Sequence, residues 1–169
     1  MNTKKMILNA ILLAIGALLH QITPSFGGMQ PDFALAMLFI IIIMNKDYKT
    51  TLIAAVITGV FTALTTKTPG GQLPNVIDKL ITANIIYFIL IPLRNKLNNN
   101  LKMGIVLLLG TIISGTVFLE ALAILAGLPA PFKVLFIGIV LPAALINLIA
   151  GLVLYKSVTL ALKRSNIKA

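Results

Sequence analysis

The 169-residue chain has no cysteine, no tryptophan, one histidine and four acidic residues. Without cysteine there is no disulfide, no thiolate nucleophile and no Cys-type metal site. A lone histidine, His20, gives no basis for a His-ligated metal either. No GxxxxGK[ST] segment occurs, and the Gly27-Gly28 and Gly70-Gly71 pairs lack the spacing of a phosphate cradle, so nucleotide chemistry is excluded. Ser25, His20 and Asp32 share one connecting stretch but no motif of a Ser/His/Asp catalyst. Neither an enzyme nor a cofactor is expected.

What is present is apolar. Hydrophobic residues make up 59% of the chain and charged residues only 11%, with a mean hydropathy of +1.03, which marks an integral membrane protein embedded in a lipid bilayer. The net charge of +10 does not point to nucleic acid, because the lysines and arginines are dispersed between apolar runs rather than gathered on a stripe with aromatics. Lys4 and Lys5 ahead of the apolar run Met6 to Leu19 have the look of a secretory leader. No small-x-small cleavage site follows and further spans do, so the run reads as a retained first helix.

A bilayer core of roughly 30 Å calls for about 20 helical residues. Six runs approach this: Met6 to Ile22, Phe33 to Met44, Thr50 to Thr66, Val76 to Leu93, Met103 to Ala126 and Val134 to Ala161. The expected fold is an all-α integral membrane bundle of six transmembrane helices, one domain over residues 1–169. The second run is short. At 1.5 Å per residue it covers roughly 18 Å, so it either extends through Asp32 and Asn45 or does not cross fully.

Charge sets the orientation. With the N-terminus cytoplasmic, 11 basic residues fall inside (Lys4, Lys5, Lys46, Lys49, Arg94, Lys96, Lys102, Lys156, Lys163, Arg164 and Lys168) and 3 outside (Lys67, Lys79 and Lys133). The positive-inside rule then places both termini in the cytoplasm. The inner connections, NKDYK and RNKLNNNLK, are plainly polar. The outer ones, HQITPSFGGMQPD, TKTPGGQLPN and AGLPAPFK, are apolar and Pro/Gly-punctuated. Irregular backbone of that kind at membrane depth is tolerated where it packs on protein or lines a cavity, so the outer loops read as a lid over a site.

Polar residues within the spans locate that site. Asn75, Asp78 and Thr82 share one face of helix four, with Lys79 about 100° away. The bland reading of Asn75 and Asp78 is a helix N-cap followed by a favourable first-turn acid, and that of Lys79 is a stem reaching outward to the headgroups. Glu120 lies about two turns below the outer end of helix five, and an intramembrane carboxylate needs a partner. Asn84 in helix four and Asn147 in helix six serve equally as helix-packing hydrogen bonds or ligand contacts. His20 reads as an interfacial residue. Helix one carries Ala10 and Ala14 at small-xxx-small spacing, for internal packing or for docking a partner. Pro142 is expected to kink helix six.

The segments NAILLAIGALLHQITP, PDFALAMLFI followed by NKDYK, and above all TPGGQLPNVIDK resemble the tryptophan-transport family of substrate-binding S components in energy-coupling factor (ECF) transporters. The likeness is specific from the N-terminus to about helix four and one of hydropathy beyond Arg94. It implies a multi-pass protein of the bacterial cytoplasmic (plasma) membrane that captures extracellular L-tryptophan. A transmembrane coupling subunit and two ATPase subunits of an ECF module would drive uptake. It further implies that Ala10 and Ala14 dock on the coupling subunit and that outer loops one, three and five act as gates. Another aromatic amino acid or a vitamin is the alternative substrate, and a structural membrane protein without a solute is the alternative class.

For a tryptophan ligand, chemistry assigns roles. Glu120 or Asp78 would hold the ammonium; Lys79, Asn75 or loop N–H groups would hold the carboxylate; Asn147 or Asn84 would accept the indole N–H. Phe33, Phe118 and Phe132 would flank the ring. The lack of tryptophan in the chain itself fits a protein needed when that amino acid is scarce.

Overall fold

The computed structural model describes residues 3–24 and 30–165; Ser25, Gly27, Gly28 and Lys168 lie outside the described residues. Among the described residues six helices follow one another: α1 (Thr3–Ile22), α2 (Phe33–Met44), α3 (Tyr48–Thr65), α4 (Gln72–Leu93), α5 (Asn99–Leu125) and α6 (Phe132–Arg164). No strand occurs among the described residues. Local chemistry starts three of the helices. Asp32, Asp47 and Asn98 each cap an N-terminus, accepting from Leu35 N, Thr50 N and Leu101 N at 2.8 Å.

Among the described residues five helices are long and apolar enough to cross a membrane; α2, at 12 residues, is not. It also does not extend through its flanks, because Asp32 and Asn45 are its caps. From Ala34 to Ile42 no residue is more than 3% exposed, and α1, α3, α4, α5 and α6 all pack around it. A helix apolar on every side belongs in a core. Being shielded by protein, α2 need not reach either membrane surface. Its C-terminal end is held by Asn45, whose Nδ2 donates to Asn9 Oδ1 at 3.1 Å and to Ile41 O at 2.9 Å.

The packing around α2 is close. A Cβ built on Gly110 of α5 would lie 2.7 Å from Cε2 of Phe39, a ring with no exposed surface. Gly110→Ala is therefore expected to destabilise the protein by about 1–3 kcal/mol through overpacking. Thermal unfolding in detergent reads this, and an unchanged midpoint would mean that Phe39 moves aside freely.

At the end of the bundle carrying the Pro/Gly connections, Thr68-Pro69-Gly70-Gly71 forms a tight turn, with Gly71 N donating to Thr68 O at 3.0 Å and Gly70 at φ +71°. Proline followed by a positive-φ glycine is the type II turn pattern. The turn delivers the chain into α4 at Gln72, earlier than the run starting at Val76 suggests. Pro74 falls in the first turn, where a missing N–H breaks no helical bond. In α6 the residues Phe136–Val140 form a π-helical turn, Leu141 N donating to Phe136 O. It immediately precedes Pro142, which has no N–H to offer the carbonyl four residues back. Widening that turn accommodates the proline's missing donor.

Candidate functional site

The Pro/Gly end holds a cavity of about 70 Å³. Lys79 of α4, nearly devoid of exposed surface, forms an ion pair with Asp32 at 2.7 Å and a second, shorter one with its neighbour Asp78. Thr82, one turn further on, donates to Asp78 Oδ1 at 2.9 Å. Two carboxylates and one ammonium thus lie together inside the bundle, joining the N-cap of α2 to the second turn of α4. Because α2 is short, its N-cap sits within the protein, where Lys79 can reach it. Lys79 does not extend outward to the headgroups.

The other walls come from α1, α5 and α6. Thr111, Ser114 and Phe118 of α5 face the cavity, as do Ile139, Val140, Ala143 and Asn147 of α6. Asn147 is buried. Its Nδ2 donates to Thr111 Oγ1 at 3.3 Å and its Oδ1 has no hydrogen-bond partner. A buried acceptor without a donor carries a desolvation penalty of about 1–3 kcal/mol, which a ligand N–H relieves. Gln30 Oε1 is in the same condition, while its Nε2 donates to His20 O at 2.6 Å.

His20 is buried against the cavity rather than interfacial. Its Nδ1 lies 2.7 Å from Thr65 Oγ1, and that hydroxyl spends its one hydrogen on Phe61 O at 2.7 Å. Nδ1 is therefore the donor, which leaves Nε2 of the neutral ring as an acceptor.

Of the residues expected at the site, the fold brings Asn75, Asp78, Lys79, Phe118 and Asn147 to the cavity. Asn75 is not the N-cap of α4. Gly71 is, and Asn75 Nδ2 donates back to Gly71 O at 2.8 Å. Glu120 does not face the cavity: its side chain is exposed, because two residues of helix carry it about 200° round α5 from Phe118. Asn84 belongs to a different cluster, accepting from the Tyr48 hydroxyl at 2.7 Å and donating to Leu80 O. Phe33 is half-buried at the start of α2 and outside the lining. Phe132 is exposed and stacks on Phe136, with ring centroids 6.0 Å apart. Ala10 and Ala14 are exposed on α1, in an apolar groove of about 360 Å³ against α3.

Asp32, His20, Gln30 and Ser114 line the cavity and were not expected there. Only Asp32 left a usable sign in the sequence, an acid placed as N-cap immediately before an apolar run. Among the described residues no cluster of His, Cys, Asp and Glu is arranged to hold a metal.

A helical bundle with apolar outer faces and a charge-lined cavity sunk into one end is the architecture of a multi-pass membrane protein. The chain belongs to the family described as tryptophan transporter TrpP, whose model matches residues 2–163. It is 51% identical to a "Probable tryptophan transport protein" of Clostridium perfringens, over 98% of this chain and 97% of that one. Proteins bearing the same name from Clostridium acetobutylicum (50%, covering 94% and 93%) and Bacillus subtilis (41%, covering 98% and 96%) are similarly close. No solved structure matches. The chain is thus a multi-pass protein of a bacterial membrane and a transport protein rather than an enzyme.

Proposed function

We propose that this chain is the substrate-capturing S component of an ECF-type transporter, binding extracellular L-tryptophan for ATP-driven uptake by a separate coupling and ATPase module. The observation that carries this reading is the unpaired, buried Asn147 Oδ1 beside the Asp32–Lys79–Asp78 cluster, an acceptor for an indole N–H near charges for a zwitterion. Phe118, Leu35, Ile139 and Val140 supply the apolar slot between them.

The orientation follows from charge. The 11-to-3 bias of basic residues puts both termini in the cytoplasm, and the cavity, at the opposite end of the bundle, then faces outward. The cavity of about 70 Å³ is smaller than the roughly 150 Å³ that admits benzene in an engineered apolar cavity. An indole therefore enters only if the α3–α4 and α5–α6 connections move outward, which is the gate role of those loops.

The sequence carries no nucleotide-binding motif, so ATP hydrolysis belongs to partner subunits. The α1/α3 groove, with exposed Ala10 and Ala14, is the surface for the coupling subunit, since small residues let a partner helix approach the backbone.

Two measurements test the reading. Calorimetry or thermal shift on purified protein should show stoichiometric binding of L-tryptophan, with a raised unfolding midpoint because ligand bound only to the native state stabilises it. A panel in which a vitamin or another amino acid stabilises the protein and tryptophan does not would reassign the substrate. Ala14→Trp, at an exposed position, is expected to leave that binding intact while abolishing uptake in cells. Full uptake by this variant would remove the groove as the docking surface.

A further inference from the structure

The two carboxylates flanking Lys79 are not equivalent. Asp78 keeps only 1% side-chain exposure, and besides Lys79 it holds the Thr82 hydroxyl at 2.9 Å. Asp32 retains 16% exposure. Its Oδ1 accepts from Leu35 N at 2.8 Å, and its Oδ2 meets Lys79 at 2.7 Å. Asp78 is thus enclosed by protein partners on both oxygens, whereas Asp32, also in the cavity wall, keeps the greater exposure.

The lining as a whole is short of positive charge. It contains two carboxylates and one ammonium, with no other lysine and no arginine, and Asn147 Oδ1 adds an acceptor that is 1% exposed and unpaired. Such a surface favours a ligand that brings N–H groups and positive charge. It disfavours one that brings only a carboxylate, because like charge in a desolvated site is repelled without compensation.

We propose that Asp32 receives the ligand's α-ammonium group, and that binding exchanges the direct Asp32–Lys79 ion pair for two pairs with the zwitterion, ammonium on Asp32 and α-carboxylate on Lys79. Lys79 keeps Asp78 throughout, so the ammonium is never left without a counter-charge. The exchange conserves the net charge of the cluster, which a zwitterion permits and an anion does not. It also carries a geometric consequence. Asp32 caps α2 and Lys79 projects from α4, so the ligand takes over the link between those two elements that the ion pair makes in its absence. This deepens the reading of the site as an amino-acid receptor and rests on it.

The test is titration calorimetry of the full-length protein in detergent with three ligands: L-tryptophan, tryptamine, which lacks the carboxylate, and indole-3-propionate, which lacks the ammonium. Tryptamine is expected within about tenfold of L-tryptophan, since the Asp32 pair is retained. Indole-3-propionate is expected to bind roughly a thousandfold more weakly than L-tryptophan, as sites built on a specific polar contact reject analogues that lack it. In Asp32→Asn, tryptamine should lose about a hundredfold while indole-3-propionate loses little or gains, because the repelling charge is gone. A merely structural Asp32 would weaken all three ligands alike. Indole-3-propionate binding wild-type protein as well as tryptamine does, or a uniform loss across the three ligands in Asp32→Asn, overturns the proposal and leaves tryptophan capture standing. Failure of L-tryptophan to bind wild-type protein removes both. Should Asp32→Asn not fold, the ligand order on wild-type protein decides alone.

Discussion

Lys79→Met is expected to be among the most damaging single changes in this protein. Methionine fills much of the volume of the lysine stem but leaves Asp32 and Asp78 inside the bundle with no counter-charge. Removing one partner of a buried ionic cluster is worth about 3–5 kcal/mol of stability, more than the overpacking expected of Gly110→Ala. The unfolding midpoint in detergent should fall accordingly, and L-tryptophan binding should be lost. Adding Asp32→Asn to Lys79→Met should recover part of the stability, because one uncompensated charge fewer remains, without recovering binding. A Lys79→Met protein as stable as wild type would show that the cluster is not what ties α4 to the start of α2.

Asn147→Leu is expected to separate stability from function in the opposite sense. The amide oxygen is buried without a donor, so an apolar side chain of similar shape relieves that penalty at the expense of one long hydrogen bond to Thr111. Stability should be unchanged or slightly raised. Affinity for L-tryptophan should fall by roughly tenfold to a hundredfold, the worth of about 1–3 kcal/mol for a buried hydrogen bond left unmade. A ligand methylated on the indole nitrogen supplies the control. Wild-type protein should discriminate against it, and Asn147→Leu should bind it and tryptophan about equally. Equal discrimination in both proteins would place the indole N–H elsewhere.

These two expectations rest on residues of unequal legibility. Lys79 and Asp78 stand out in the sequence because charge is scarce there and both fall near the start of an apolar helix. Asn147 is visible only as one of several polar residues within spans, and nothing local distinguishes it from Asn84. The fold separates them. Asn147 lies on the face of α6 that meets Thr111, whereas Asn84 faces Tyr48 of α3. Glu120 is the converse case, chosen because it is a carboxylate in an apolar run and then carried to the exposed side of α5 by the helical repeat. Composition registers that a charge is present, but the direction in which it points depends on which stripe of the helix finds a partner.

By itself the sequence determined that this is an all-helical membrane protein, where its helices begin and end to within a few residues, which end of the bundle carries the polar connections, and its kinship with the tryptophan transporters. All of these follow from local properties: hydropathy along a run, caps, Pro/Gly turns and short motifs. Only the tertiary structure decided that α2 is the centre of the bundle rather than a sixth lipid-facing span, and that its N-cap, Asp32, meets Lys79 at 2.7 Å. The physical reason is the same for both. Lipid and protein interior are almost equally apolar, so hydropathy cannot tell a core helix from a membrane-facing one, and a buried ion pair is made by packing between elements that are distant along the chain.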